Sequence, residues 1–266
     1  MNEDPLLQIR DLSVSYPGAH GRFTALCELN LEVSAGECLG LVGESGSGKT
    51  ALLLAILGLL PAHASVRGSI RYRGGELLGL EAARLNAIRG ARIAMVFQEP
   101  MSALNPYMRV IDQLSEVPHV HGGMSRRKAR QRALEMLEAV HIGEPERRAR
   151  QYPHELSGGM RQRVMIAMAL IGEPDIVLAD EPTTALDVTV QAQILSLLQE
   201  MRERTGAALV LVTHDLGVVA QLADRIGVMR GGRIVEQAEC TQLFSQPQHP
   251  YTQALLSAMP RLEYPL

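Results

Sequence analysis

The chain has 266 residues, of which 46% are hydrophobic and 21% charged, and its net charge is −3. This composition is typical of one or two globular domains; it excludes a disordered chain and a chain-wide positive field that would attract nucleic acid. Its three cysteines lack CxxC spacing, which argues against disulfides or a metal site and favours a reducing cytosol.

The first part of the chain predicts antiparallel strands and then a buried strand. Apolar residues recur at mostly even spacing over 7–14 and again over 26–33, which indicates strands with one wet face. Cys38–Val42 is a short apolar run that leads into a glycine-rich loop, and the chain is predicted to be helical after it. Ser69–Arg73 predicts a further strand that ends at a glycine turn.

No segment predicts a membrane span or a secretion signal. Met1–Asp4 lacks the basic and apolar regions of a signal peptide, so we expect none. The longest strongly apolar run, Ala51–Leu60, is about half the length that a bilayer requires. We therefore expect this run to be a buried helix.

The second part of the chain predicts a parallel sheet. Arg92–Phe97, Asp175–Ala179 and Ala207–Thr213 are largely continuous apolar runs, as in strands buried on both faces. A helical apolar stripe over 190–201 separates the last two, which gives the strand–helix–strand order of an α/β sheet. Residues 226–235 predict a hairpin around two glycines.

The middle of the chain differs from both. Residues 99–160 contain no long apolar strand, and Ser125–Val140 has the pattern of a helix. We expect a helical subdomain inserted into the sheet domain.

The loop Gly43–Thr50 fits the pattern GxxxxGK[ST] in full. Its glycines allow backbone N–H groups to wrap phosphates, and the following helix adds a favourable dipole. In this pattern Lys49 reaches the β- and γ-phosphates and Thr50 holds Mg²⁺.

An acidic pair follows a predicted buried strand. Asp180 is costly there unless it meets a cation or water, so it suits a role in holding Mg²⁺ through water. Glu181 beside it suits a residue that orients and deprotonates an attacking water. Gln98, His214 and Asp187 also lie in loops beyond the predicted strands, where such sheets place their sites.

A second glycine-rich serine loop, Leu156–Arg163, is surplus to a chain that already has one phosphate loop. The simplest physical reason for it is that it binds a nucleotide held by another chain.

Together these motifs resemble, in order and spacing, the ATP-binding subunit of ABC transporters. The matching segments are Gly43–Thr50, Gln98, Leu156–Gln162, Ile176–Pro182, Ala185–Asp187 and His214. The resemblance implies one ABC ATP-binding domain over 1–266, an α/β fold with a P-loop RecA-like core sheet, an antiparallel β subdomain and an inserted α-helical subdomain. The expected division is 1–98 and 161–235 for the β subdomain and core, 99–160 for the helical subdomain and 236–266 for a C-terminal tail.

The resemblance also implies the site. The expected ATP-binding residues are Tyr16, which would stack on adenine, and Gly43, Glu44, Ser45, Gly46, Ser47, Gly48, Lys49 and Thr50. The expected catalytic residues are Glu181 as base, His214 on the γ-phosphate, and Gln98, which would contact Mg²⁺ and the lytic water and sense the membrane partner. Thr50, Gln98 and Asp180 would hold Mg²⁺. The residues expected to act on the facing subunit's ATP, or across that interface, are Leu156, Ser157, Gly158, Gly159 and Asp187.

Such a subunit implies partners and a location. We expect a second ATP-binding subunit (the same chain or a paralogue), two membrane-spanning permease subunits and, indirectly, an extracytoplasmic substrate-binding protein. We expect no nucleic acid, and a peripheral position on the cytoplasmic face of the cell membrane.

A narrower resemblance concerns the cargo. Phe97–Pro106, Tyr152–Glu155, Thr183–Gln193 and His249–Leu256 are similar to the dipeptide, oligopeptide and nickel uptake branch, and Met160 favours the first of its two paralogous ATPases. Many peptide-type members continue into a cysteine-rich extension, which is not found here before Leu266. This favours nickel or metal chelates, or a short peptide type.

Two other classes are weighed against a transporter. A soluble ABC ATPase acting on DNA or ribosomes usually shows a long coiled-coil insertion, zinc-binding cysteines or two cassettes, and this sequence shows none of them. A non-hydrolytic regulatory module is disfavoured because Glu181 and His214 are both present.

Overall fold

Two β-sheets organise the chain, and the computed structural model describes residues 4–18, 21–184 and 186–258. The first three residues and the last part of the predicted tail, 259–266, lie outside the described residues. The strands are β1 (Leu7–Gly18), β2 (Gly21–Val33), β3 (Cys38–Val42), β4 (Ser65–Tyr72), β5 (Gly75–Glu76), β6 (Ile93–Val96), β7 (Ile176–Asp180), β8 (Ala208–Val212), β9 (Arg225–Arg230) and β10 (Arg233–Glu239). The helices are α1 (Lys49–Ile56), α2 (Ala82–Ile88), α3 (Pro100–Ala103), α4 (Val110–Val120), α5 (Arg126–Ala139), α6 (Pro145–Ala149), α7 (Gly158–Leu170), α8 (Val188–Thr205), α9 (Leu216–Leu222), α10 (Cys240–Ser245) and α11 (Pro250–Ser257).

The first sheet is antiparallel, as predicted, and its strand order is β2-β1-β4-β5. Its buried face follows the apolar alternation except at two steps of three residues, from Leu26 to Leu29 in β2 and from Ile9 to Leu12 in β1. The pairing shifts register there, and Asp11 adopts a φ of 48° while its N–H donates to Asn30 Oδ1 at 3.0 Å. This β-bulge keeps both apolar side chains in the core.

The second sheet has the order β10-β9-β3-β8-β7-β6; β9 through β6 are parallel, and β10 is antiparallel at the edge. Every residue of β3, β7 and β8 is buried, which explains their continuous apolar sequences. Because these strands are parallel neighbours, the chain leaves them at one edge, after Val42, Asp180 and Val212. The predicted β9–β10 hairpin is confirmed.

Residues 99–160, all of which the structure describes, hold helices, a 3-10 turn and loops, and no strand. Ser125 caps α5 by accepting a hydrogen bond from the N–H of Lys128, so the predicted helix is confirmed. Leu114 and Leu137 of this region share one apolar cluster with Val164 and with the parallel sheet. The exact subdomain limits remain a prediction.

Some elements differ from the expectation. β4 begins at Ser65, four residues before the predicted start at Ser69. The sequence did not reveal this first half because its residues are half-buried or exposed and show no apolar alternation. Helix α2, which the sequence did not predict, has seven residues, none of them fully buried, and therefore only a weak apolar stripe. The predicted tail contains α10 and α11, which pack on the edge of the parallel sheet through Leu243 and Tyr251. In residues 4–258, apart from 19–20 and 185, no helix is both long and apolar enough to span a bilayer.

Candidate nucleotide-binding site

The glycine-rich loop 43–50 connects β3 to α1 at the carboxyl edge of the parallel sheet. Gly43 has a φ of 153°, and a Cβ there would collide with the carbonyl oxygen of Met229. Gly48 precedes α1 with a φ of 105°, and a Cβ there would lie 2.5 Å from the carbonyl oxygen of Ala25. The loop is therefore wedged between β2 and the β9–β10 hairpin, and only glycine fits at these two positions.

Lys49 is folded back into this loop and is only 6% exposed. Its Nζ donates to the carbonyl oxygens of Gly43 at 2.7 Å and Glu44 at 2.9 Å. Burial lowers the pKa of Lys49, while the carboxylates of Glu181 and Asp180 act in the opposite direction. A phosphate group in the loop would stabilise the charged ammonium further.

Asp180 and Thr50 meet behind the loop. Asp180 is 4% exposed at the end of β7, and the hydroxyl of Thr50 lies near enough to its carboxylate to lower its pKa. Burial raises the pKa of Asp180, and the carboxylate of Glu181 adds to this, whereas Thr50 and Lys49 oppose it. A carboxylate and a hydroxyl at this point are oxygen donors of the kind that Mg²⁺ prefers, so these residues fit that ion.

The three predicted catalytic side chains lie together at the same edge of the sheet. Glu181 accepts a hydrogen bond from Gln98 Nε2 at 3.2 Å and lies 3.3 Å from His214 Nδ1. Thr184 Oγ1 also donates to Glu181, at 2.8 Å. Burial raises the pKa of Glu181, but the hydrogen bonds from Thr184 and His214 outweigh it and hold this pKa below its ordinary value. Glu181 is therefore a carboxylate at neutral pH, with its charge presented at the sheet edge.

Tyr16 lies near the end of β1, half-buried, and pairs with Phe23 across the hairpin. Its ring is edge-on to His63, with centroids 6.2 Å apart. The following strand carries Ala25, whose carbonyl oxygen borders Gly48, so the hairpin lies beside the phosphate loop. The role of Tyr16 as an adenine platform remains a prediction.

The second glycine loop forms the start of α7. Ser157 is exposed and caps the helix, accepting a hydrogen bond from the N–H of Met160 at 3.3 Å. Leu156 is buried and anchors the loop, and a Cβ on Gly159 would lie 2.9 Å from Val190. Among the described residues, no hydrogen bond joins Ser157 to the loop 43–50. The role of this loop at the nucleotide of a facing subunit remains a prediction.

Asp187 caps α8, and its carboxylate accepts a hydrogen bond from the N–H of Val190 at 2.9 Å. Asp187 and the neighbouring Val188 are exposed. This structural role is compatible with the predicted position at a subunit interface, which remains a prediction. Ala185, also part of the matched motif, lies outside the described residues.

The sequence did not single out two residues that touch this site. Thr184 bonds to Glu181, and the hydroxyl of Tyr251 accepts a hydrogen bond from the N–H of Glu44 at 3.2 Å. The sequence offers a signal for Thr184, because a hydroxyl three residues after Glu181 can reach back across a turn and donate a hydrogen bond to its carboxylate. Nothing local in the sequence signals the contact of Tyr251.

The phosphate loop, the acidic pair at the end of β7 and the exposed serine cap of α7 define a nucleotide-hydrolysing cassette, and comparison with known proteins gives its family. Residues 26–184 match the model of the ABC transporter family, and residues 235–266 match that of the oligopeptide/dipeptide transporter C-terminal region. The chain belongs to the ABC transporter family, as an ATP-binding, ATP-hydrolysing subunit that energises import.

Three relatives show the branch of the family. The oligopeptide transport ATP-binding protein OppD of Salmonella typhimurium is 50% identical over 97% of this chain and 77% of its own length. The probable peptide ABC transporter ATP-binding protein y4tR of Sinorhizobium fredii is 51% identical, again over 97% of this chain and 77% of its own length. The dipeptide transport ATP-binding protein DppD of Bacillus subtilis is 48% identical over 98% of this chain and 78% of its own length.

A solved structure agrees in fold. The dimeric post-hydrolysis state of the cassette MJ0796, bound to ADP and phosphate, has a TM-score of 0.78 and 32% identity; the match covers 88% of this chain and 98% of that one. The predicted fold class and family are therefore confirmed.

Proposed function

We propose that the chain supplies the ATP-driven step of oligopeptide or dipeptide import. The observation that carries the chemistry is the meeting of Glu181, Gln98 and His214 at the sheet edge beside buried Lys49. The names of the relatives and the match of residues 235–266 support peptides as cargo. Nickel or a metal chelate, which the sequence also suggested, is the alternative that the uptake experiment below tests.

In the proposed reaction the loop 43–50 binds the phosphates of ATP and Glu181 orients the attacking water and accepts its proton. His214, which is close to Glu181 and largely exposed, can turn toward the γ-phosphate, while Gln98 stays beside the water. Asp180, Thr50 and Gln98 would hold Mg²⁺, which neutralises phosphate charge when bound. The low pKa of Glu181 keeps the carboxylate ready to accept a hydrogen bond from water.

The second glycine loop supports a pair of ATP-binding subunits. Ser157 and Gly159 would donate to the γ-phosphate held by the facing subunit, so that each site is built from two chains. The solved relative described above is dimeric. Whether the facing subunit is a second copy or a paralogue, the geometry of this half of the site is the same.

A cleft lined by Phe97, the residue before Gln98 in the chain, suits a membrane partner. It has a volume of about 230 Å³ between the parallel sheet and the helical region, and its lining is largely apolar, including Phe97, Leu104 and Met168. Leu59 on this cleft and Met101 close to Gln98 in the chain are large apolar residues that are 43% and 45% exposed. We propose that a permease segment on the cytoplasmic face of the membrane docks here, where Gln98 can report its position to Glu181.

Replacing Lys49 with alanine is expected to raise the dissociation constant for ATP about 10- to 100-fold, because charge-assisted hydrogen bonds to phosphate are lost. Titration of the purified chain with a fluorescent ATP analogue measures this. Lys128→Ala is the control, since Lys128 is an exposed residue of α5 remote from the loop 43–50 in the chain. Equal ATP affinity of Lys49→Ala and Lys128→Ala would contradict the phosphate-binding role.

Uptake in a strain that lacks this chain tests the cargo. We expect the strain to lose accumulation of a labelled tripeptide or dipeptide, wild type to restore it, and Lys49→Ala to fail. Nickel uptake measured in the same cells should be unaffected. Loss of nickel uptake with normal peptide uptake would replace the peptide proposal by the nickel alternative, and ribosome or DNA co-purification without membranes would overturn both.

A further inference from the structure

The C-terminal helix α11 reaches the phosphate loop. Tyr251 is 7% exposed, and its hydroxyl accepts a hydrogen bond from the backbone N–H of Glu44 at 3.2 Å, across 207 residues of chain. Glu44 is the second residue of the loop 43–50. The predicted C-terminal tail therefore contacts the phosphate loop directly.

Tyr251 is held in place on several sides. Its ring belongs to an apolar cluster with Val42, the last residue of β3, and with Leu243 of α10. The guanidinium of Arg230 lies over the ring, 4.7 Å from its centroid. With these contacts the hydroxyl has a fixed position relative to the sheet that carries the loop.

The start of α11 is itself fastened to β10. The carboxylate of Glu236 accepts hydrogen bonds from the backbone N–H groups of Gln248 at 2.7 Å and His249 at 2.9 Å. His249 then caps the helix by accepting from the N–H of Tyr251 at 3.1 Å. Glu236 thus sets where α11 begins, and so where the tyrosine lies.

The contact controls one peptide plane. The Gly43–Glu44 peptide group donates its N–H to Tyr251 and accepts the Nζ of Lys49 at its carbonyl oxygen, at 2.7 Å. Because a peptide group is planar, fixing the direction of its N–H also fixes the direction of its C=O. Tyr251 and Lys49 therefore hold opposite ends of the same rigid unit.

We propose that Tyr251 is a positioning residue of the nucleotide site, through which the C-terminal segment 236–258 sets the affinity for ATP. It orients the 43–44 peptide so that Lys49 lies ready for the phosphates. This inference rests on the proposed phosphate-binding role of the loop 43–50. It assigns to α10 and α11 a function at the site in addition to their packing on the sheet edge.

The direct test is Tyr251→Phe, which keeps the ring beneath Arg230 and removes only the hydroxyl. The N–H of Glu44 then lacks its partner, and we expect the dissociation constant for ATP to rise about fivefold. The turnover number at saturating ATP should be unchanged, since Tyr251 does not touch Glu181. Tyr72→Phe is the matched control, because the hydroxyl of Tyr72 is also hydrogen-bonded, in its case to the side chain of Asp175 outside the loop 43–50.

Glu236→Ala supplies a second, independent variant. If Glu236 acts through Tyr251, Glu236→Ala alone weakens ATP binding, and Glu236→Ala combined with Tyr251→Phe weakens it no further than Tyr251→Phe alone. Additive effects, or ATP affinity in Tyr251→Phe equal to that of Tyr72→Phe, would overturn the inference. Lys49→Ala distinguishes failure of this inference from failure of the proposed phosphate-binding role. If Lys49→Ala loses ATP while Tyr251→Phe binds ATP normally, the role of the loop stands and only the role of Tyr251 fails.

Discussion

Replacing Glu181 with glutamine is expected to lower the ATPase rate of the assembled importer by about 10²- to 10⁴-fold, which is the usual loss when a positioned proton acceptor is removed. ATP binding should persist, because the proposed phosphate-binding groups are those of the loop 43–50, and among the described residues no hydrogen bond joins Glu181 to that loop. Glutamine has the size of glutamate, and its side-chain oxygen can still accept the hydrogen bonds of Thr184 and Gln98. Only the negative charge and the basicity are therefore lost.

The chain offers a matched control for this variant. Glu200 faces His141 at 3.2 Å, nearly the same separation as between Glu181 and His214, but that pair lies on the surface with both side chains well exposed. Glu200→Gln should therefore leave both ATP binding and hydrolysis unchanged. Single-turnover hydrolysis and equilibrium binding of ATP, measured on both variants, separate the chemical step from binding. A Glu181→Gln importer that hydrolyses ATP at the rate of Glu200→Gln would remove the catalytic assignment.

The sequence predicts those features whose cause is local. A strand that is buried on both faces must be apolar throughout, so β3, β7 and β8 could be located from their runs alone. Parallel pairing then brings Asp180, Glu181 and His214 to one edge, whichever residues separate them in the chain. This is why most of the candidate site followed from motif and strand order.

Features that depend on packing between distant segments were not predictable. Helix α2 is seven residues long and has no fully buried residue, so its sequence carries only a weak periodic signal. The contact between Tyr251 and Glu44 requires α11, β10 and the loop after β3 to meet in three dimensions. A short helix of mixed polarity gives no indication of its neighbours, and its functional contact is visible only in the folded chain.

The proposed ligand of Ser157, the exposed cap of α7, is a nucleotide held by another subunit, so no contact within this chain identifies it. Replacing Ser157 with arginine should spare ATP binding by the altered chain, whose own loop 43–50 is untouched. It should lower hydrolysis by at least about 10²-fold, as expected when donors to the developing phosphate charge are lost. Arginine also places a large side chain where the facing nucleotide must approach, so closure of the two subunits is blocked.

Ser125→Arg separates this effect from the loss of a helix cap. Ser125 is also an exposed N-cap serine, and it accepts from the N–H of Lys128 at 3.4 Å much as Ser157 accepts from Met160 at 3.3 Å. Each substitution should lower the free energy of unfolding by about 1 kcal/mol through loss of the cap. Thermal unfolding of both variants checks that the two losses are equal. For gel filtration, both substitutions are made in the Glu181→Gln chain, which retains ATP. Only Ser157→Arg should then abolish ATP-dependent pairing of the subunits. Because the two caps are so alike within one chain, a loss of hydrolysis in Ser157→Arg alone supports a nucleotide of a facing subunit as the ligand of Ser157, and equal hydrolysis in the two variants would contradict it.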